Sequence, residues 1–273
     1  MVVLVTGGTG FVGRQVVYAL QAAGVQVRLV IRHRESLPLL DRGGVESWLL
    51  TDDLFAETED WWHNALQGVS MVIHLAWYAE PGRYLDSPLN FHCLQGTLRM
   101  ASAAVNVGVS RFVGIGTCFE YDVSKGYLST ATPLLPATPY AASKAATYIS
   151  LSSWLSLAGV RFLWCRLFYL YGEGEDERRL VPYLRTCLSQ GKPVDLTKGD
   201  QVRDYLDVSL AGKMIVDEAL GERIGAVNIC SGNAVTIREF AECIADEYGA
   251  RHLLRFGARP ENVFDPPCVV GLR

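Results

Sequence analysis

The stretch that decides the fold is TGGTGFVG, residues 6–13, close to the start of the 273-residue chain. A short apolar run from Val2 to Val5 precedes it. A helical pattern from Phe11 to Ala23 follows, and Gly24 marks the helix stop. Strand, glycine-rich turn and helix therefore come in immediate succession. This context predicts the first unit of a parallel sheet covered by helices.

The glycines of this turn are spaced as a dinucleotide pyrophosphate requires. Such a group needs close approach to the backbone, and free N–H groups at the positive end of a helix dipole. We predict that Gly7 makes the tight turn, Gly10 permits the close approach and Gly13 permits close packing of helix on strand. Phe11 and Val12 complete the predicted cofactor-binding turn. The alternative to cofactor binding is a glycine turn that serves only the packing of an α/β domain.

The alternation of strands and helices continues along the chain. Further strands are predicted for Val25 to Ile31, Val45 to Leu50, Met71 to Leu75, Arg111 to Ile115 and Val160 to Leu167. Helices are predicted for Glu57 to Leu66, Leu89 to Val107 and Ala141 to Ala158. This pattern predicts the α/β class, with a doubly wound parallel sheet of the Rossmann type.

After Tyr171 the alternation weakens, and residues 172–201 are charged and turn-rich around one helix. A strand at Ala226 to Cys230 and a helix at Ile237 to Tyr248 follow. We predict a dinucleotide-binding domain over residues 1–167. A small C-terminal, mainly substrate-binding lobe is predicted over 168–273, interleaved with returns to the sheet.

Composition excludes several classes of protein. Apolar residues make up 49% of the chain and the formal net charge is −4, which gives no electrostatic footprint for nucleic acid or an anionic membrane. The seven cysteines show neither C-x-x-C pairs nor zinc-finger spacing, so we expect free thiols and no metal site. We expect no signal peptide, because no basic region precedes the first apolar strand, and no apolar run reaches membrane-spanning length. These features favour a cytoplasmic protein.

The end of the second strand indicates which nicotinamide cofactor binds. A carboxylate there bonds the ribose hydroxyls of NAD, whereas arginine accommodates the 2′-phosphate of NADP. The sequence is Ile31-Arg32-His33-Arg34. Arg32 and Arg34 therefore favour NADP(H), with NAD(H) as the alternative, unless they belong to a solvated basic loop. Residues after two later strands are also predicted to contact the cofactor. Asp53 and Leu54, after the third strand, are expected near the adenine. Leu75 and Ala76, at the end of the fourth strand, are expected where the chain passes close to the cofactor.

Tyr140-Ala-Ala-Ser-Lys144 opens a predicted helix, and the spacing of four places Tyr140 and Lys144 on one helical face. A carbonyl or carbinol carbon needs a proton donor and acceptor beside it. The ammonium group of Lys144 is expected to lower the pKa of Tyr140 and to bond the nicotinamide ribose. Thr117, after the fifth strand, is expected to hold the substrate oxygen. Cys118 beside it is interpreted as a packed thiol.

Several stretches resemble one enzyme family. They are TGGTGFVG (6–13), VIHLA (72–76), GTLRM (96–100), GTCFEY (116–121), PYAASK (139–144), RLFYLYG (166–172) and RDYLDV (203–208). In this order they resemble the extended short-chain dehydrogenases/reductases of the nucleotide-sugar epimerase/dehydratase group.

The resemblance implies a seven-stranded Rossmann sheet and a lobe for a nucleoside-diphosphate sugar, and it suggests a homodimer. It places Thr117, Tyr140 and Lys144 on the catalytic triad. It places Arg203 where the family contacts the diphosphate of the substrate, with Arg259 as a second contact. It places Phe168 and Tyr169 on the stretch of chain that leads from the cofactor site to the substrate site.

The departures from the family pattern narrow the reaction. The acidic pair that follows the catalytic Thr in the 4,6-dehydratases is replaced by Cys118 and Phe119, and the family's Asn near the nicotinamide is replaced at His92 or Cys93. The sequence therefore predicts an oxidoreductase that reduces a 4-keto-6-deoxy sugar nucleotide with NADPH. An epimerase with tightly bound NAD is the first alternative, and a non-catalytic dinucleotide sensor is the second.

Overall fold

A parallel sheet of seven strands forms the centre of the molecule, and a smaller lobe is built at its carboxyl edge. The structure is a computed structural model that describes residues 1–36, 40, 43–261 and 265–273. Its strands are β1 (Val2–Thr6), β2 (Gln26–Ile31), β3 (Val45–Leu50), β4 (Met71–His74), β5 (Arg111–Thr117), β6 (Tyr127–Leu128), β7 (Arg161–Leu167), β8 (Tyr169–Tyr171), β9 (Val194–Leu196), β10 (Val202–Arg203), β11 (Tyr205–Asp207), β12 (Gly225–Ile229), β13 (Val235–Thr236), β14 (Leu254–Phe256) and β15 (Cys268–Gly271). The α-helices of the described ranges are α1 (Phe11–Ala22), α2 (Glu59–Ala65), α3 (Leu89–Asn106), α4 (Pro139–Leu157), α5 (Leu180–Ser189), α6 (Val208–Leu220) and α7 (Ile237–Asp246).

The large sheet has the order β12-β7-β5-β4-β1-β2-β3, and every neighbouring pair is parallel. The doubly wound α/β class and the seven strands predicted from the sequence are confirmed. The order reverses between β1 and β4, so the crevice outside their carboxyl ends is the expected ligand position in such sheets. Thr6 and His74 end these two strands and are joined by a 2.7 Å hydrogen bond between Oγ1 and Nδ1.

Helices cover the sheet on both faces. On one face α1 and α6 bury residues such as Val16, Leu20 and Ile215. On the other face α2, α3 and α4 bury a second cluster that includes Trp62 and Leu151. Strand β12 thus belongs to the large sheet and α6 covers it, although both lie in the stretch predicted as the lobe. The boundary at residue 167 itself stays a prediction.

The lobe consists of short strands and two helices. A four-stranded sheet has the order β13-β10-β15-β6, and β8 pairs with β11 and β9 with β14. Helices α5 and α7 pack together through residues such as Leu184, Leu188 and Ile244. The lobe therefore has an apolar core of its own beside the carboxyl ends of the large sheet.

The stretch RDYLDV (203–208) is divided between two short strands and the start of a helix. Strand β10 ends at Arg203, β11 is Tyr205–Asp207, and α6 begins at Val208. Asp204, between the strands, is fully buried. Its carboxylate accepts hydrogen bonds from the backbone N–H groups of Ser231 (2.7 Å), Gly232 (2.9 Å) and Gly271 (3.1 Å). The need to point this carboxylate at two distant segments interrupts the strand.

All seven cysteines are free thiols. Within the described residues, no helix is long and apolar enough to cross a membrane. The same residues contain no group of three or more His, Cys, Asp or Glu side chains that could hold a metal ion.

Candidate active site

The glycine turn packs so tightly that side chains are excluded from it. Gly7 has φ +71°, and a Cβ atom there would lie 2.6 Å from the backbone nitrogen of Ala76. A Cβ atom on Gly13 would lie 2.0 Å from the carbonyl oxygen of Gly7. Gly10 is the N-cap of α1 and has no side chain with which to cap the first N–H groups of the helix. These groups remain available to an anion, so the turn fits the pyrophosphate of a dinucleotide.

The other predicted cofactor positions lie at the same edge of the sheet. Leu75 and Ala76 follow β4 directly, and Ala76 touches the glycine turn. Asp53, after β3, accepts a 3.0 Å hydrogen bond from the N–H of Phe55 and a 2.7 Å contact from Nε2 of His92. Leu54, partly buried, packs against the apolar cluster under α2 and α3.

The basic residues after β2 are exposed. Arg32 is the first residue beyond the strand. The guanidinium group of Arg34 lies 4.7 Å from the ring centre of Trp48 on β3. Stacking on an aromatic face holds an arginine in place. Arg34 is therefore partly preorganised at the carboxyl edge of the sheet.

The structure brings Thr117, Tyr140 and Lys144 together. Thr117 ends β5, while Tyr140 and Lys144 lie in the first turns of α4. The helix begins there because Pro139 occupies its first position, and the hydroxyl of Thr138 accepts a 3.2 Å hydrogen bond from the N–H of Ala141. The hydroxyl of Thr117 is near enough to that of Tyr140 to influence its pKa.

The protonation of Tyr140 differs from the sequence expectation. Burial raises the pKa of Tyr140 far above its usual value near 10, and the neighbouring Tyr84 and Glu120 raise it further, while the hydroxyl of Thr117 opposes the shift. The expectation that Lys144 lowers this pKa is wrong for this structure. The ammonium group of Lys144 is directed elsewhere: Nζ donates a 2.6 Å hydrogen bond to the carbonyl of Ile115. Tyr140 therefore holds its proton at neutral pH.

Lys144 is itself strongly perturbed. Its side chain is buried, which lowers its pKa to about 7, and the charges of Glu120 and Cys93 oppose this shift. Nζ lies 3.9 Å from the ring centre of Trp77 and 5.9 Å from that of Trp164. Lys144 therefore changes charge close to physiological pH.

Replacing Lys144 by Met removes this titration. The pKa of about 7 lies below that of an unfolded lysine, so between the two values the unfolded wild type binds more protons, and its stability gains with rising pH. Between pH 7 and pH 9 we expect the stability difference to shift by about 1–3 kcal/mol in favour of the wild type. Urea unfolding of both proteins at each pH measures this. A difference that does not change with pH would contradict the lowered pKa.

A buried ion pair lies directly behind Thr117. Oε2 of Glu120 accepts a 2.6 Å hydrogen bond from Nε of Arg166, and both side chains are at most 1% exposed. The Oε1 atom of Glu120 accepts from the N–H of Thr117 at 2.8 Å and from Nε1 of Trp164 at 3.0 Å. The guanidinium group of Arg166 also donates to the hydroxyl of Tyr121 at 2.9 Å. This network fixes the backbone that carries Thr117.

The predicted substrate residues are only partly brought together. The guanidinium group of Arg203, a buried residue, lies 5.2 Å from the ring centre of Tyr169. Phe168 is buried in the cluster that contains Cys118 and Val269. Arg259 is held by other contacts. It lies 4.5 Å over the ring of Tyr183, and its N–H donates to the carbonyl of Leu196 at 3.0 Å.

A cavity of about 410 Å³ opens beside Tyr84, whose ring packs on that of Tyr140. It is lined by Pro81, Gly82, Tyr84, Leu85, Arg178 and Arg179. The ring of Tyr84 meets that of Tyr140 edge-on, with 4.8 Å between centres. Burial raises the pKa of Tyr84, and the nearby Arg179 opposes this shift. The cavity thus places two arginines beside Tyr84, the ring neighbour of the predicted proton donor.

Sequence reasoning missed Trp77, Tyr84 and the Glu120–Arg166 pair. Tyr84 lies in a segment without helical or strand periodicity. Glu120 and Arg166 are far apart along the chain, although both fall inside stretches that carry the family resemblance. A charged residue within each of two otherwise apolar stretches was the available signal.

Comparison with known proteins gives a consistent family. Residues 3–216 match the model of the NAD dependent epimerase/dehydratase family. Among curated proteins, the dTDP-6-deoxy-L-talose 4-dehydrogenase (NAD(+)) of Aggregatibacter actinomycetemcomitans is 22% identical and covers 100% of both chains. The dTDP-glucose 4,6-dehydratase of Streptomyces niveus is 29% identical over 92% of this chain and 78% of its own.

Solved structures agree in fold. The UDP-glucose 4-epimerase of Thermus thermophilus, in complex with NAD, superposes with a TM-score of 0.82 at 26% identity, covering 100% of this chain and 90% of that chain.

Proposed function

This chain belongs to the NAD-dependent epimerase/dehydratase family, and from that premise we propose that it reduces the 4-keto group of a 6-deoxy sugar carried on a nucleoside diphosphate, with NADPH as reductant. As a member of this family it is an enzyme of the extended short-chain dehydrogenase type. The observation that carries the proposal is the placing of Tyr140, a phenol that keeps its proton, beside Thr117 at the end of β5 and one turn before Lys144.

Reduction of a ketone needs a hydride at carbon and a proton at oxygen. The reduced dinucleotide, whose pyrophosphate the glycine turn would hold, would supply the hydride. In the proposal, Thr117 and Tyr140 both hold the keto oxygen, and the proton of Tyr140 passes to that oxygen as the alcohol forms. Lys144 is proposed to bond the nicotinamide ribose and so to hold the cofactor beside Tyr140. Tyr140 carries its proton when the ketone arrives, so its phenol can act as the acid.

The residues after Thr117 argue against dehydration. An elimination needs an acid and a base at the sugar, whereas Cys118 is buried and burial raises its pKa to about 12. Phe119 has no titrating group, and its ring lies 6.2 Å from that of Tyr169. Glu120 is turned into the protein, where Arg166 and Trp164 bind its carboxylate. We therefore favour oxidoreduction without loss of water.

Relatives support chemistry at the sugar C4. The dTDP-6-deoxy-L-talose 4-dehydrogenase matches this chain over the full length of both, and its name places the oxidation at position 4 of a 6-deoxy sugar. We propose that Arg203, stacked on Tyr169, and the arginines of the cavity beside Tyr84 bind the diphosphate of such a substrate. Phe168 and Arg259 are proposed to shape this lobe.

Cofactor choice is where the proposal departs from that relative, whose name specifies NAD(+). Arg32 and Arg34 are expected to make NADPH bind at least about tenfold more tightly than NADH, since each charge-assisted hydrogen bond contributes about 1.5–3 kcal/mol before screening. Arg32→Ala should weaken NADPH selectively. Titration calorimetry with both cofactors measures this, and Arg255→Ala on β14 is the matched control. Tighter binding of NADH to the wild type would refute the preference.

Epimerisation is the second candidate, because the Thermus thermophilus UDP-glucose 4-epimerase shares the fold over the whole of this chain. An epimerase oxidises and re-reduces one sugar, so its cofactor is regenerated in place. A reductase consumes its cofactor. Net cofactor turnover therefore separates the two reactions.

The deciding experiment incubates the purified protein with a dTDP-linked 4-keto-6-deoxyhexose and NADPH and follows absorbance at the nicotinamide band. We expect one NADPH to be oxidised for each new C4 alcohol. In parallel, UDP-glucose is supplied without added cofactor. Formation of UDP-galactose there, with no NADPH oxidation in the first assay, would replace the reductase proposal by the epimerase.

A further inference from the structure

We propose that Trp77 is a positioning residue for Lys144, whose ammonium group its indole face holds in the active site. The inference rests on the proposed function, because it takes Lys144 as a residue that serves the cofactor and Tyr140. Trp77 directly follows Ala76, the residue against which the glycine turn packs, so its side chain starts at the cofactor edge of the sheet.

The geometry around Nζ of Lys144 is that of a cation held by an aromatic face. Nζ lies 3.9 Å from the ring centre of Trp77, and it donates a 2.6 Å hydrogen bond to the carbonyl of Ile115. Among the ion pairs of the described residues, none involves Lys144. A lysine side chain is flexible, and a cation–π contact in a buried place contributes about 2 kcal/mol. The indole and the carbonyl of Ile115 therefore together keep this ammonium group in one position.

The indole is itself fixed by a buried amide. Oδ1 of Asn90, at the start of α3 and fully buried, accepts a 2.8 Å hydrogen bond from Nε1 of Trp77. Nδ2 of Asn90 donates to the carbonyls of Tyr84 at 2.6 Å and Ser87 at 2.9 Å. The ring of Phe55 meets the indole edge-on, with 6.3 Å between centres. The indole thus has a defined orientation.

The same amide reaches the other predicted catalytic residue. The segment that Asn90 ties down includes Leu85, whose carbonyl accepts a 3.0 Å hydrogen bond from the N–H of Tyr140. It also includes Tyr84, whose ring packs on that of Tyr140. Residues 77–90 therefore contact both Lys144 and Tyr140. Within this segment, Trp77 is the residue that acts on the lysine.

The test is a double-mutant cycle on cofactor binding, which does not depend on knowing the sugar substrate. NADPH is titrated calorimetrically into the wild type, Trp77→Leu, Lys144→Met and the double variant. We expect Trp77→Leu to weaken NADPH binding about 5–30-fold, as loss of a buried cation–π contact implies. In the Lys144→Met background the same change should alter affinity less than about twofold, because the cation it positions is gone.

Two further variants sharpen the result. Trp77→Phe keeps an aromatic face and should recover most of the lost affinity. Trp154→Leu removes an exposed tryptophan from the same helix as Lys144 and should change nothing. If thermal melting shows that Trp77→Leu does not fold, Trp77→Met is put through the same cycle.

An equal loss of affinity in both backgrounds would overturn the proposal, since Trp77 would then act by packing alone. Wild-type NADPH affinity in Lys144→Met is a different failure. It would remove Lys144 from the proposed active site, and the role of Trp77 would fall with it.

Discussion

Tyr140→Phe is expected to fold like the wild type and to lose at least about 10²–10⁴-fold in turnover, the range for a lost general acid. The variant keeps the ring that packs on Tyr84 and removes only the hydroxyl beside Thr117. The wild-type phenol is protonated at neutral pH and holds the proton that the keto oxygen needs. In the variant, no phenol remains to deliver it.

Turnover is measured as NADPH oxidation with the 4-keto-6-deoxy substrate, and NADPH affinity by titration. Affinity should change little, because Lys144 and the glycine turn are intact. Tyr127→Phe, at a tyrosine that is 54% exposed on β6, is the matched control and should retain full activity. Wild-type turnover in Tyr140→Phe would show that another group supplies the proton.

The largest effect on stability is expected at the buried Glu120–Arg166 pair. Removing one partner, as in Arg166→Met, leaves the other charge buried and unpaired and should cost about 3–5 kcal/mol of unfolding free energy. Glu120→Leu should cost as much, and it also frees the N–H of Thr117 and Nε1 of Trp164. The double variant should be more stable than either single one, because no unpaired charge remains.

The same strand supplies a control. Arg161 on β7 donates to Glu222 at 2.6 Å, the same distance as in the buried pair, but the two side chains are 45% and 88% exposed. Arg161→Met should cost less than about 1 kcal/mol, because water solvates the charge that is left. Urea unfolding of all variants tests the comparison. Equal costs for the exposed and buried arginines would show that burial does not govern this ion pair.

Much of the fold follows from local sequence pattern. The glycine turn, β3 at Val45–Leu50 and the start of α1 at Phe11 stand where the sequence predicted them. Each depends on neighbours within a few residues, such as a β-branched run, a glycine or a helical repeat. The division of RDYLDV between two strands and a helix does not follow from such neighbours. Asp204 binds backbone groups of Ser231 and Gly271, which no local pattern reveals.

The sequence by itself determined which residue types gather at the carboxyl edge of the sheet, because parallel strands all end there and the predicted triad follows or faces those ends. The tertiary structure decided how these groups behave. Whether Tyr140 holds its proton and where Lys144 directs its charge depend on burial and on Trp77, Tyr84 and Glu120. These residues come from separate segments of the chain. Desolvation and charge act through space, and periodicity along a sequence records only near neighbours.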